Sequence, residues 1–313
     1  MNIVVLGLGS ISNRIIQGIK EAENAVLYGV ASRDIDKAQS YQKKYGACKT
    51  FGCYDDVWND LQVELVYIAT INTLHYRQIK EALRHKKNVL CEKPMVSSEK
   101  EVEELFAIAK ENNVFLMEAH KGLFTPLNQT IKAFVDSGEL GEIVAIDATY
   151  SSSMYTDNSE HSHWVFDANF GGCTFDIGVY PISYINYFAG GDSKDIHVER
   201  VKDKQNIEIY SKGILRYHNG IIATFTSGWI SNNENNGFIY GTKGFIKTKN
   251  FWKTNVAEFI DNKGNSKGIC VDLVSDFKGE IEHAIWCIEQ GYLQSPIMGE
   301  KQSKEILKIV NHK

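Results

Sequence analysis

The chain has 313 residues, enough for two domains with a sizeable core and no need of disulfide or metal staples. Hydrophobic residues make up 43% and charged residues 23%, the mix of an ordinary globular protein. The net charge of -5, from 34 basic against 39 acidic residues with no basic block, argues against nucleic acid as a main partner. No apolar run approaches the ~20 residues that span a bilayer, so no membrane partner is expected. Met1 to Leu6 run straight into a strand without a basic n-region or an apolar h-region, so no secretory leader is expected either. Cys48, Cys53, Cys91, Cys173, Cys270 and Cys287 are scattered and form no C-x-x-C pair. They read as reduced, mostly buried thiols of a cytoplasmic protein rather than as zinc or redox ligands.

Residues 2–6 form a β run without alternation, as in a strand buried on both faces. Gly7-Leu8-Gly9-Ser10-Ile11-Ser12 follows, then a helical pattern with Ile15, Ile16 and Ile19 on one side. Strand, glycine turn and helix match G-x-G-x-x-G/A with serine in the third place. Gly7 permits the tight turn, Gly9 lets the backbone approach a pyrophosphate, and the helix N-terminus supplies N–H groups. Residues 26–31 read as the second strand, whose end should carry an acid for the adenosine ribose. Ser32 and Arg33 stand there instead, and a hydroxyl with a guanidinium suits a 2′-phosphate, which favours NADP over NAD. Asp34 comes late and reads as the N-cap of a helix over 35–45.

A short helical turn over 54–58 precedes a strand over 64–69, which ends in Thr70-Ile71-Asn72-Thr73-Leu74-His75. Thr70 and Asn72 can hydrogen-bond a cofactor; His75 either joins them or merely starts the helix over 76–85. Val89, Leu90 and Cys91 then read as a short buried strand, stopped abruptly by Glu92, Lys93 and Pro94. A carboxylate and an ammonium at the carboxyl end of an apolar strand are costly unless they face a site, and in an open α/β sheet ligands bind at that end. Lys93 is the first catalytic candidate: an amine there can polarise a hydroxyl or carbonyl, or exchange a proton. Pro94 admits a cis bond. Ser97 or Ser98 caps a helix through Lys110, and residues 114–117 close the sheet. The β-α alternation to this point predicts an α/β, doubly wound parallel sheet.

The pattern then changes. A helix over 127–135 gives way to strands over 143–151, 207–210, 214–217, 221–227, 238–241 and 244–248. Helices near 174–188, 277–289 and 301–310 interrupt or close them. This is an α+β domain on an open, mostly antiparallel sheet, and its uncovered face suits self-association. Within it Gly171-Gly172-Cys173-Thr174-Phe175-Asp176-Ile177-Gly178-Val179-Tyr180-Pro181 is a second chemical cluster. Asp176 and Tyr180 are four apart and share a face if helical; Pro181 bends such a helix.

Together these pieces resemble the glucose–fructose oxidoreductase / inositol dehydrogenase (GFO/IDH/MocA) family of nicotinamide enzymes. The matching stretches are Gly7-Leu8-Gly9, Ala69-Thr70-x-Asn72-x-x-His75, Cys91-Glu92-Lys93-Pro94, Gly171-Gly172-x-x-x-Asp176-Ile177-Gly178 and Gly241-Thr242-Lys243-Gly244. Met117-Glu118-Ala119 and the tyrosine at 180 look most like the dihydrodiol dehydrogenase and NADP-dependent D-xylose dehydrogenase branch. The resemblance implies a Rossmann domain over 1–120 and a substrate-binding, dimerising domain over 121–313, giving a homodimer or higher homo-oligomer. It implies that Lys93 is catalytic, with Tyr180 as proton donor or acceptor and Asp176 in support. The cofactor, NADP or less favourably NAD, would lie on Gly7, Gly9, Ser10, Ile11, Ser32 and Arg33, and on Thr70, Asn72, His75, Glu92 and Lys93. The expected reaction is hydride transfer between the nicotinamide and a CH–OH/C=O group of a sugar-like or dihydrodiol-like small molecule. Lys121 and Leu123 replace the tryptophan and arginine of the branch pattern M-E-A-x-W-x-R-F-x-P, which leaves the substrate open. Lys121, His161, His163, Trp164 and Asp167 are the substrate candidates. His161 and His163 are two apart with no matching ligand set, so no metal is expected. The rival readings are a non-catalytic NADP-binding regulator of the same fold and a biliverdin-reductase-like enzyme.

Overall fold

The computed structural model describes residues 1–157, 164–167 and 171–312. Two compact units emerge, one of Met1–Phe124 with Val274–Lys304, the other of Thr125–Leu273 with Glu305–Lys313.

The first unit runs β1 (Asn2–Leu6), α1 (Ser12–Glu21), β2 (Val26–Ala31), α2 (Ile35–Tyr45), β3 (Lys49–Phe51), α3 (Tyr54–Asn59), β4 (Leu65–Ile68), α4 (Asn72–Arg84), β5 (Asn88–Glu92), α5 (Glu99–Asn112) and β6 (Leu116–Ala119). Its six strands lie in the order β3-β2-β1-β4-β5-β6, all parallel. The chain reverses direction of travel between β1 and β4, which opens a crevice at their carboxyl ends. The strands are apolar because helices cover both faces: Ile3 to Leu6, Leu65 to Ile68 and Val89 to Cys91 are fully buried. Ser98 and Glu101 form a reciprocal capping box that starts α5.

The second unit begins with α6 (Pro126–Asp136), β7 (Ile143–Ser151) and the single turn α7 (Met154–Asp157). A wide turn over Thr174–Gly178 leads into α8 (Val179–Ala189). Then come β8 (Ser193–Lys202), β9 (Glu208–Tyr217), β10 (Ile222–Gly228), β11 (Asn236–Gly241), β12 (Gly244–Lys249), β13 (Val256–Asp261) and β14 (Ser266–Cys270). The eight strands order as β14-β13-β12-β11-β7-β10-β9-β8, antiparallel except for the central β7/β10 pair. The predicted fold class, a Rossmann-type sheet followed by an open mostly antiparallel one, is what the structure contains.

Three details differ from the sequence reading. The division is not a single cut at residue 120: α9 (Lys278–Glu289) and its flanks belong to the first unit. Asp276 pairs with Arg14 of α1, and the Phe277 ring lies under the same guanidinium at 5.1 Å. Residues 208–217 form one strand, not two; Gly213 sits mid-strand because the Phe225 ring packs where a β-carbon would stand, 2.1 Å from the nearest ring carbon. Three of the six cysteines, Cys48, Cys53 and Cys270, are exposed; all six are free. Among the described residues no helix is long and apolar enough to cross a membrane.

Candidate active site

The glycine turn after β1 is built as its spacing requires. Gly7 has φ +92°, and its N–H donates to the Ala31 carbonyl at 3.0 Å. A β-carbon there would lie 2.7 Å from Thr70 Cγ2 and 2.8 Å from the Ala69 carbonyl oxygen, so the turn is sealed against the loop after β4. Gly9 is different: it is exposed, and a β-carbon on it would meet nothing within 4 Å. The buried Ser12 hydroxyl donates to the Gly9 carbonyl at 2.6 Å and holds the turn's shape. Ile11 starts α1 and offers no side-chain cap to the first-turn N–H groups. A bare helix start beside an open glycine and the exposed Ser10 is the donor set a dinucleotide pyrophosphate needs, and the residues present fit that group.

At the end of β2, Ser32 is buried and its hydroxyl accepts from the Asp34 N–H at 3.2 Å; Arg33 is exposed. Asp34 caps α2, accepting from the Lys37 N–H at 3.1 Å. Burial raises the Tyr54 hydroxyl, and the Arg33 charge offsets part of that rise.

The loop after β4 is tied to the one after β5. Thr70 donates its hydroxyl proton to Gln78 Oε1 at 2.5 Å. His75 is buried, with Nε2 3.0 Å from the Thr70 carbonyl and Nδ1 3.0 Å from that of Pro94. Burial lowers its imidazole below the ordinary value, so a neutral ring braces both loops. Both its nitrogens lie against backbone carbonyls. The Lys93–Pro94 bond is cis. Just beyond it the Met95 N–H donates to Glu118 Oε1 at 3.0 Å, and the Ser303 hydroxyl donates to Glu118 Oε2 at 2.6 Å. Lys93 itself is half-buried, with its backbone N–H 3.3 Å from Glu92 Oε2.

Beneath Lys93 lies a charged cluster that the sequence did not reveal. The Tyr67 hydroxyl is 2.7 Å from Glu280 Oε1 and 3.1 Å from Glu92 Oε1. Burial, with the Glu92 charge beside it, raises the Glu280 carboxyl well above its ordinary range. Burial also raises Glu92, against the opposing pull of Lys93 and Lys121. Lys121, expected to meet substrate, is instead 5% exposed and paired with Asp276, with its ammonium 4.6 Å over the Phe277 ring. Burial lowers the Lys121 ammonium and Asp276 holds part of that back. Asp276 and Glu280 lie more than 150 residues beyond Lys121 in the chain; the one local signal was Tyr67, a hydroxyl in the middle of a strand buried on both faces, which needs a partner.

In the second unit, Gly172 accepts the Asp176 N–H on its carbonyl at 3.0 Å, within the wide turn over Thr174–Gly178. That turn absorbs Pro181: the proline lacks the N–H that an unbroken α-helix would aim at the Ile177 carbonyl, so the chain widens before α8 instead of bending inside it. Tyr180, on the first turn of α8, has its ring 5.5 Å from that of Tyr150 and 6.2 Å from that of Trp252. Tyr150 and Trp252 stack at 3.8 Å. Neither aromatic was singled out from sequence, because each reads as an ordinary strand or turn residue. Asp167 is exposed, and its carbonyl accepts from the Gly171 N–H at 2.8 Å. Trp164 opens a short 3-10 turn to Phe166; His161 and His163 lie outside the described residues.

Residues 1–120 match the family model described as oxidoreductase family, NAD-binding Rossmann fold, and residues 128–247 match the GFO/IDH/MocA C-terminal domain. Trans-1,2-dihydrobenzene-1,2-diol dehydrogenase of Xenopus tropicalis is 25% identical over 98% of this chain and 95% of its own. The Homo sapiens protein of that name is 26% identical over 98% and 93%. Among solved structures, aldose-aldose oxidoreductase from Caulobacter crescentus shares the fold with a TM-score of 0.89 at 22% identity, over 99% of this chain and 95% of that one. A 3-ketoreductase from Actinomadura kijaniata, solved with NADP, gives 0.83 at 22% identity over 99% and 96%. The two family domains together span most of the chain, in the order and over the strands just described, and the chain belongs to the GFO/IDH/MocA family as an NAD(P)-dependent oxidoreductase.

Proposed function

We propose that the protein transfers hydride between NADP and a ring-borne carbinol or ketone of a sugar-like or cyclic diol substrate. The observation that carries this reading is the aromatic setting of Tyr180. A proton-exchanging hydroxyl flanked by stacked Tyr150 and Trp252 suits a small ring with one apolar face and several hydroxyls. The names of the relatives point the same way: a dihydrodiol, an aldose and a 3-keto group. When bound, the nicotinamide supplies the hydride acceptor or donor, and the turn from Gly7 to Ser12 with Ser32, Arg33, Thr70 and Asn72 would hold the cofactor. In oxidation Tyr180 as its phenolate takes the substrate hydroxyl proton, and in reduction the phenol returns it. Lys93 donates to the same oxygen as an ammonium and stabilises the charge developing there, and Asp176 supports the pair. Trp164, Asp167 and the two histidines His161 and His163 remain the substrate candidates from sequence; Lys121 leaves that set for its buried pair.

The exposed faces support two further readings. Cross-strand register puts Ile214, Thr224, Asp147 and Phe238 in one row of the second sheet, and Arg216, Ile222, Ala145, Tyr240 and Phe245 in the next. Ile214 and Ile222 are about half exposed, and Phe238 and Tyr240 stack at 5.8 Å. A homodimer or higher homo-oligomer through this face would cover them. Six free thiols suit the reducing cytoplasm.

The test is NADPH formation over a panel of aldoses, polyols and cyclic dihydrodiols, with ketone reduction followed in parallel. Lys93→Met and Tyr180→Phe should each lower kcat by ~10²–10⁴, the usual worth of acid–base help. Full turnover by both variants on a good substrate would refute the assignment.

A further inference from the structure

Tyr67 lies between a buried carboxyl, Glu280, and a half-buried one, Glu92, next to Lys93. Tyr67 carries one hydroxyl proton, yet its oxygen is within hydrogen-bond reach of both Glu280 Oε1 and Glu92 Oε1. One contact is the hydroxyl donating; the other holds only if a carboxyl donates to the tyrosine oxygen. Glu280 is fully buried, and its Oε2 has no hydrogen-bond partner among the described residues. A carboxylate in that position would leave a charged oxygen unsolvated, while a neutral acid leaves only a carbonyl. The remaining charges point the same way. Glu280 is faced by Tyr67, Glu92, Lys121 and Asp276; Lys121 is already matched by Asp276, which also takes Arg14. Glu92 is faced by Lys93, Lys121, Tyr67 and Glu280, so the nearby positive charges favour the anion at Glu92 rather than at Glu280.

We propose that Glu280 and Tyr67 are positioning residues for Lys93: Glu280 donates to Tyr67, Tyr67 donates to Glu92, and the pair of carboxyls keeps one proton and one negative charge beside the lysine. Glu92 then serves as a fixed counter-charge that holds Lys93 as an ammonium, with its backbone N–H tied to Glu92 Oε2. The proton on Glu280 prevents a second charge from forming, which would tie the ammonium down and blunt its response to substrate. This inference rests on the reading of Lys93 as catalytic.

Three measurements test it. Infrared difference spectra at neutral pH should show the C=O stretch of a buried protonated carboxyl, absent from Glu280→Gln. The pH midpoint for competitive amine labelling of Lys93, read by peptide mass spectrometry, should move in Tyr67→Phe by up to about one unit, a tenfold change in the labelling equilibrium. In turnover, Glu280→Ala should lower kcat by about tenfold with KM little changed and shift its pH profile, and Glu280→Gln, a neutral donor of the same shape, should recover most of it. A carboxyl band that survives in Glu280→Gln, or a Lys93 midpoint and pH profile unmoved in Tyr67→Phe, would overturn the proposal. Full turnover in Lys93→Met with the Lys93 midpoint still moved by Tyr67→Phe would leave the shared proton standing and remove Lys93 from the chemistry instead.

Discussion

Glu118 is the anchor whose removal should be felt furthest. It is 3% exposed and accepts two buried hydrogen bonds, from the Met95 N–H at 3.0 Å and the Ser303 hydroxyl at 2.6 Å, with the His120 Nε2 close by at 3.4 Å. Glu118→Ala strands both donors, each at about 1–3 kcal/mol, and breaking such a buried network costs roughly 3–5 kcal/mol in all. Glu118→Gln keeps the shape and one acceptor oxygen but turns an amide toward a donor, for about 1.5–3 kcal/mol. At about 2–4 °C per kcal/mol, calorimetry at neutral pH should place the alanine variant on the order of 10 °C below wild type, with glutamine between. Burial alone would raise the Glu118 carboxyl; the His120, Ser303 and Met95 partners outweigh it and leave it below the ordinary glutamate value of 4.5. A depressed folded value means the stabilisation is present above pH 4.5 and is lost as pH falls through the folded value. Wild type should therefore lose its lead over Glu118→Gln on acidification below that point. Equal melting of wild type and Glu118→Gln at neutral pH would show that the carboxylate anchors nothing. Because Met95 follows the Lys93–Pro94 bond, kcat should fall with stability in the alanine variant.

Other substitutions separate roles that one motif mixes. Gly9→Val should leave the melting temperature within about 1 kcal/mol of wild type while weakening NADP binding at least tenfold in a fluorescence titration, whereas Gly7→Val should lose folded protein outright, since its β-carbon meets backbone. Arg33→Ala should cost about 1.5–3 kcal/mol of NADP affinity, roughly ten- to a hundredfold, and leave NAD binding unchanged; equal affinity for the two cofactors before and after would refute the assignment. Lys121→Leu removes a buried partner from Asp276 and should destabilise by about 3–5 kcal/mol; a loss confined to substrate KM, with no change in melting, would restore Lys121 to the substrate site.

The first half of the chain was legible because its signals are local. A buried parallel strand, a glycine turn and an amphipathic helix each lie within a few residues, and the same is true of Asp34 and Ser98 at their helix starts. The second sheet was harder where it meets water. The strands at Ser193–Lys202, Val256–Asp261 and Ser266–Cys270 alternate charges with modest apolar residues and are short or polar, so they read as loops. Lys93 and Tyr180 were visible because a charge or hydroxyl interrupts an apolar pattern. Glu280 was not, because a carboxylate on a helix is ordinarily solvated, and only Tyr67, more than 200 residues away, makes it otherwise. The pairing of Lys121 with Asp276, 155 residues away, was hidden for the same reason.

The return of Val274–Lys304 to the first unit bears on how the protein can be made. During synthesis the nucleotide-binding half emerges first but is incomplete: Arg14 and Lys121 have no Asp276, and Tyr67 has no Glu280, until nearly the whole chain has left the ribosome. A fragment that stops at Phe124 would bury an ammonium without its counter-ion, so this half should resist being cut out as a free-standing cofactor-binding module. The intervening residues 125–273 behave as an insertion that the first unit must wait for, which makes its folding a late event governed by contacts between distant parts of the sequence.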